Sequence, residues 1–330
     1  MTRAAGFTTM WLTIVGCVLA VMGAYMVAAA ETAPPALEKT LGAPPGLRDL
    51  ALRIERMHLG GCTPAEAAEV RTFCQQQLAS ASDDEHRAFF LREVAGTYFA
   101  EQNYDRALEV YQQVIDLYPK TEQVSWAKYG IGEQYFHKAR YQEGAQGMIR
   151  KYMPLTEDFI RQYPKHYYVV GALYARGWGC EQLGDKAAAL AEYQRAVDEY
   201  PQYPHSDLCL LRVMAIHQQL REWDDAIAAA HKYLELYPHR HPWEARFSAG
   251  ISYFRNGDPR PAIAEFTEAL GSSPAAYEDR ATALFFRAMS HKGLEEPAQA
   301  RQDLEQLLAS YPKHKLAAQA REELAAIGGQ

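Results

Sequence analysis

Apolar positions follow three patterns along the chain. An apolar run from Met10 to Val27 follows the single early positive charge, Arg3, and ends in Ala28-Ala29-Ala30 before Glu31. Leu47, Leu50, Ile54 and Met57 then hold an a/d stripe for under two heptads before Gly60-Gly61. From residue 87 onward, helix-period blocks recur between Tyr-Pro pairs: Tyr118-Pro119, Tyr163-Pro164, Tyr200-Pro201, Tyr237-Pro238 and Tyr311-Pro312, with Ser273-Pro274 filling the remaining place. The proline-to-proline steps are 45, 37, 37, 36 and 38 residues. A period of that length predicts stacked helical hairpins, because one hairpin cannot bury its apolar face alone.

Counting each proline as position 32 of a 34-residue unit brings further positions into phase. Position 20 is Ala107, Ala189, Ala226, Ala262 and Ala300; position 24 is Tyr111, Tyr193, Ala230, Phe266 and Leu304. Position 8 is Ala95, Gly177, Gly250 and Ala288, with Met214 the exception. Small residues at 8 and 20 let two helices approach, and a large residue at 24 fills the space between neighbouring hairpins. Proline at 32 stops the second helix, since it lacks an N–H donor and clashes with the preceding turn. Leu183-Gly184-Asp185 and Asn256-Gly257-Asp258 supply turns between helices. The second unit runs about eight residues long, which predicts a protruding, Pro154-kinked extension. Thr63-Pro64-Ala65-Glu66 reads as N-cap, first-turn proline and capping-box glutamate. Residues 47–59 and 64–80 are expected to form a capping hairpin, and Lys315–Ile327 a final helix with Leu316, Ala320 and Leu324 on one stripe.

These residues resemble the tetratricopeptide repeat family over roughly residues 87–312. The resemblance implies an all-α, right-handed solenoid of about six hairpins, with residues 47–86 as N-terminal helical hairpin and 313–330 as C-terminal capping helix. The spaced Tyr-Pro linkers look like those of exported bacterial repeat proteins, both Tol–Pal-associated and outer-membrane barrel-assembly types. The a/d stripe is too short for the coiled coil of the first group. In this family, positions 2, 5, 9, 12 and 13 of the first helices line a concave groove. Here they hold ten aromatics: Phe89, Phe99, Trp126, Tyr129, Phe136, Tyr174, Trp178, Phe247, Phe254 and Phe285. Thirty such positions at the chain's 12% aromatic content would hold about four. The expectation is a groove for protein or peptide segments; the plainer alternative packs some of these rings between hairpins. No Lys-Asn pair stands at positions 5 and 9, so apolar recognition is expected in place of a carboxylate clamp.

The first thirty residues admit three readings: a cleaved secretory signal, an uncleaved membrane anchor, or a lipobox at Ile14-Val15-Gly16-Cys17. All three export the remainder of the chain. Residues 31–46, with Pro34-Pro35 and Pro44-Pro45, form a proline-rich linker. Lys plus Arg total 34 against 41 Asp plus Glu, a net charge of -7 that argues against nucleic acid as partner. Cys62, Cys74, Cys180 and Cys209 are expected as free, mostly buried thiols, since Cys62 and Cys74 sit too far apart along one helix to bridge. Cys180 and His217 share position 11 in consecutive units, and His239-Arg240-His241 sits on a connection, but neither forms a catalytic or metal-binding pattern. No cofactor, metal or enzyme motif is expected. The chain reads as a noncatalytic exported scaffold of the cell envelope, in the periplasm and membrane-associated through residues 10–30. The alternative is an accessory subunit of an envelope enzyme or maturation complex.

Overall fold

A computed structural model of the protein describes residues 63–141, 144–240, 242–272 and 277–328. Its described residues form fourteen α-helices and no strand. The chain divides into two compact units, one up to Ala175 and the other from Arg176. The first unit holds α1 (Pro64–Ser80), α2 (Asp84–Ala100), α3 (Tyr104–Leu117), α4 (Gln123–Tyr141) and α5 (Ala145–Gln162). The division falls inside α6 (Val169–Gln182). The second unit continues with α7 (Lys186–Glu199), α8 (Ser206–Leu220), α9 (Trp223–Leu236), α10 (Pro242–Asn256), α11 (Pro259–Gly271), α12 (Tyr277–Gly293), α13 (Pro297–Ser310) and α14 (Ala317–Gly328). Within each unit a helix packs on the one before and the one after it, and first helices of successive hairpins also meet: α2 on α4, α8 on α10, α10 on α12. That is the contact pattern of stacked hairpins.

Two joints repeat. Between hairpins, Tyr118, Tyr163, Tyr200, Tyr237 and Tyr311 share one conformation, φ from -128 to -134° and ψ from 45 to 57°. Each tyrosine N–H donates to the carbonyl four residues back, and each tyrosine carbonyl accepts from the N–H three residues on. Proline follows at the second position of that turn, where its fixed φ fits. Within hairpins, Asn103, Asp185, Glu222, Asp258 and Glu296 each donate their N–H to the carbonyl five residues earlier, at 2.9–3.0 Å. The residue before each of these is left-handed: Gln102, Gly184, Arg221, Gly257 and Glu295, with φ from 59 to 90°. Only two of those five are the glycines that the sequence singles out.

Every alanine of position 20 is fully buried, and Tyr193, Ala230, Phe266 and Leu304 of position 24 are too. The position-24 rings also reach into their own hairpins. A Cβ on Gly177 would lie 2.6 Å from the Tyr193 ring, and one on Gly250 2.7 Å from the Phe266 ring. Phe266 stacks in turn over Phe286 of the next hairpin, with centroids 6.5 Å apart. The Phe266 ring thus fills the space between hairpins, as read from the sequence, and the space within its own hairpin as well.

The N-terminal capping box forms as read, with Thr63 and Glu66 bonded reciprocally and Pro64 at the helix start. Residues 1–62, with the three targeting readings, the linker, the 47–59 helix and Cys62, lie outside the described residues. Cys74, Cys180 and Cys209 are buried, and Cys180 and Cys209 are free thiols. The expected protrusion in the second unit is corrected. Helix α5 passes through Pro154, and its buried stripe of Ile149, Tyr152, Thr156, Phe159 and Ile160 runs along its length. Its partner α4, at 19 residues, is long enough to match it, so the extra turns are packed rather than thrust out. At the C-terminus the last helix begins at Ala317, two residues late. His314 is buried, with its Nδ1 bonded to the Leu316 N–H at 3.2 Å, so the preceding residues belong to a turn.

Candidate functional site

Of the ten aromatic positions, Phe89, Phe99, Phe136, Tyr174 and Phe285 are buried. Trp126, Tyr129, Trp178, Phe247 and Phe254 are half-buried, and none of the ten is exposed. The buried rings serve packing. Phe89 meets Phe90 edge-on at 5.3 Å, Phe99 meets His137 at 4.8 Å, Phe136 meets Tyr152 at 5.8 Å, and Phe285 meets Phe286 at 5.7 Å. A partner-facing surface is thus narrowed to the five half-buried rings. In the second unit, Phe247 stacks on Trp243 at 4.7 Å, and Phe254 lies 5.2 Å from Phe286 with the Arg255 guanidinium 5.9 Å above it.

The first unit gathers the richest constellation, on α2, α3, α4 and the turn before α6. A small recess there is lined by Arg92, Glu93, Tyr111, Trp126, Tyr129, Gly130, Glu133 and Tyr168, with room for about one water molecule. Arg92 lies between the rings of Phe89 and Trp126, 4.9 and 4.8 Å from their centroids. Its guanidinium pairs with Glu93 Oε1 and donates to Gln123 Oε1 at 2.7 Å. Gln123 donates in turn to Glu85 at 2.8 Å. Arg92 and Glu93 are both buried, which is tolerable because each charge meets the other. Glu93 Oε2, also buried, has no hydrogen-bond partner among the described residues.

Tyr129 stacks on Tyr168, centroids 4.6 Å apart at 20°, and donates its hydroxyl to Glu133 Oε1 at 3.3 Å. Trp126 stands edge-on to Tyr168 and to His166, at 5.6 and 4.4 Å. Close approach is built in: a Cβ on Gly130 would collide with the Tyr111 ring at 2.5 Å. Burial lifts the Glu133 carboxyl to about 7, opposed in part by the Tyr129 hydrogen bond. Burial likewise pushes His137 down to about 3 and His166 down to about 4.

Sequence reasoning places Trp126 and Tyr129 on this face but misses Arg92, Glu93 and Glu133 as functional groups. Arg92 stands at position 5 of its unit and Glu133 at position 9 of the next, where the sequence offers no Lys-Asn pair. The signal that finds them is chemical: charged residues interleaved with apolar ones on a helix with no polar face to spare. Helix α2 is buried from Ala88 through Thr97.

The chemistry considered elsewhere is unpromising. Burial raises the Cys180 thiol, which disfavours its nucleophilic thiolate. His217 Nδ1 lies 2.7 Å from Glu222 Oε2, and Asp225 joins them in a cluster within 4.8 Å. His291 and Glu296 repeat that pairing at 2.6 Å two hairpins on, so it reads as a turn-locking device of the fold.

Residues 171–329 match a family model described as an outer membrane lipoprotein, YfiO. Residues 94–121 match a tetratricopeptide repeat model. No curated protein matches the sequence. Among solved structures the chain is similar to a tetratricopeptide repeat protein from Parabacteroides merdae, at 13% identity over 85% of this chain and 99% of that one, TM-score 0.43. It is also similar to PilW, described as a widely conserved type IV pilus biogenesis factor, at 18% identity over 73% and 97% of the two chains, TM-score 0.47. Pseudomonas aeruginosa pilF is similar at 12% identity over 74% and 98%, TM-score 0.46. The family matches and the repeated hairpins support a scaffold for protein–protein interaction.

Proposed function

We propose that this tetratricopeptide-repeat protein is a noncatalytic scaffold of the cell envelope, exported by its N-terminal segment, which holds partner protein segments against its first helices. The observation that carries the reading is the set of half-buried rings on those helices: Trp126 and Tyr129, Trp178, and Phe247 and Phe254. Such rings offer large contact area at low entropic cost, the usual make-up of binding hot spots. The match of residues 171–329 to an outer-membrane lipoprotein model supports the envelope setting. The apolar run of Met10–Val27 supports export.

Capture from detergent-solubilised envelopes tests it. Tagged protein should fractionate with the envelope and recover a partner there, and the pair Trp126→Ala and Trp178→Ala should cut recovery at least ~10-fold, as truncating two hot-spot residues does. Far-UV circular dichroism should stay unchanged. Unaltered capture by the folded double variant removes the rings from the function. Recovery of one enzyme alone turns the reading to an accessory subunit.

A further inference from the structure

Resting on the scaffold reading, the geometry points to a lysine of the partner segment as the group that the first-unit recess receives: its ammonium enters beside Glu93 and Glu133, and its methylene stem lies along Trp126, Tyr129 and Tyr168. Three observations converge on a cation. The buried Arg92 charge is matched by Glu93 through Oε1. Glu93 Oε2 lacks a hydrogen-bond partner among the described residues although Glu93 is 1% exposed, and Glu93 lines the recess. Glu133 adds a second carboxyl on the same lining, so among the described residues the lining carries two acids against one base.

A buried acceptor without a donor is costly, and a charged N–H donor satisfies it best. The remaining walls are tyrosine and tryptophan rings, whose faces attract ammonium. An ammonium group is close to a water molecule in size, which is what the recess admits. The long apolar stem of lysine suits an aromatic approach, as such stems pack on apolar surface while the charge reaches its partner. A guanidinium is too broad for the same space.

Ionisation supports the assignment. Arg92 and Glu93 face Glu133 from α2, Tyr111 from α3, and Tyr129 from α4 itself. The Glu133 carboxyl, raised to about 7, is held by burial chiefly as the neutral acid at pH 5.5 and as carboxylate at pH 8. A bound ammonium therefore binds more tightly at the higher pH and displaces a proton.

The test uses the full chain and three blocked tripeptides, acetyl-Ala-Lys-Ala-amide and its norleucine and glutamate counterparts. The chain has five tryptophans, and the Trp126 indole N–H signal is identified by its loss in Trp126→Phe. The lysine peptide should shift that signal saturably at pH 8, at least ~10-fold more tightly than norleucine, with glutamate silent. Its affinity should fall at least ~3-fold at pH 5.5. Glu133→Gln should abolish both the selectivity and the pH dependence while the fold is retained, and Glu93→Gln should weaken binding where it folds. Equal binding of lysine and norleucine overturns the lysine recess and leaves the apolar groove standing. No shift with any peptide, or selectivity surviving Glu133→Gln, overturns it as well. The groove reading fails separately, in the tryptophan double variant.

Discussion

At the turns within hairpins, three side chains hold a backbone shape made for glycine. Gln102, Arg221 and Glu295 take φ of 59, 62 and 59° at the turn where other hairpins use Gly184 and Gly257. A side chain in that region costs roughly 1 kcal/mol, part of which is offset by the greater unfolded-state freedom of glycine. Arg221→Gly and Glu295→Gly should each raise stability by about 0.5 kcal/mol, read as a higher urea midpoint, whereas Gly184→Ala and Gly257→Ala should lower it by about 1 kcal/mol. A second residue-scale prediction concerns pH. Glu133 is raised in the folded protein, so its favourable contribution is full below about 4.5 and is lost as pH climbs through 7. His137 and His166 are depressed, so theirs is present above 6.5 and is lost as pH falls toward 4 and 3. Stability of the first unit should peak near neutrality, and Glu133→Gln should remove the decline between pH 6.5 and 8. With the carboxyl half-buried, that decline is under about 1 kcal/mol, because most of the Glu133 contribution is already lost between pH 4.5 and 6.5; denaturant titration at each pH measures it.

Among the elements, α5 departs furthest from its siblings. Pro154 sits within it, so one helical hydrogen bond is missing and its ring crowds the preceding turn. Packing overrides this, because the buried stripe from Ile149 to Ile160 continues on both sides of the proline. Pro154 is exposed, so Pro154→Ala restores the bond without disturbing that stripe. The variant should gain about 2 kcal/mol, with slower hydrogen exchange along α5; unchanged exchange would mean the helix already tolerates the proline without cost. This element also marks the limit of what is legible in the sequence. The period and position 8, 20 and 24 residues locate the hairpins, because hairpin stacking repeats them in phase. Length alone says that eight residues are extra, but whether they protrude depends on what α4 offers opposite them. The aromatic face is half legible for the same reason. Helical periodicity assigns a ring to the first-helix face, yet burial of Phe89, Phe99 and Phe136 depends on His137, Tyr152 and other neighbours distant in sequence. The Arg92–Glu93 pair is invisible at that level, since adjacent opposite charges on a helix ordinarily sit in water.

For the molecule as a whole, stability is assembled from hairpins that lean on neighbours, with a buried alanine at position 20 in five of them and a bulky buried side chain at position 24 in four of those. Long-range ion pairs add stitches at about one repeat's spacing: Lys138 with Asp105, Arg212 with Glu181, Lys232 with Asp198, Lys292 with Glu323. The exposed ones contribute little each. The uniform Tyr-Pro joint has a consequence for editing this chain. Deleting Pro201–Tyr237 would splice Tyr200 to Pro238 and regenerate the same dipeptide in the same bend, with α7 meeting α10 where α8 had been. A module that can be lifted out without leaving a scar should yield a shortened protein that still melts cooperatively, so the number of modules behaves as an adjustable length rather than a fixed requirement of folding.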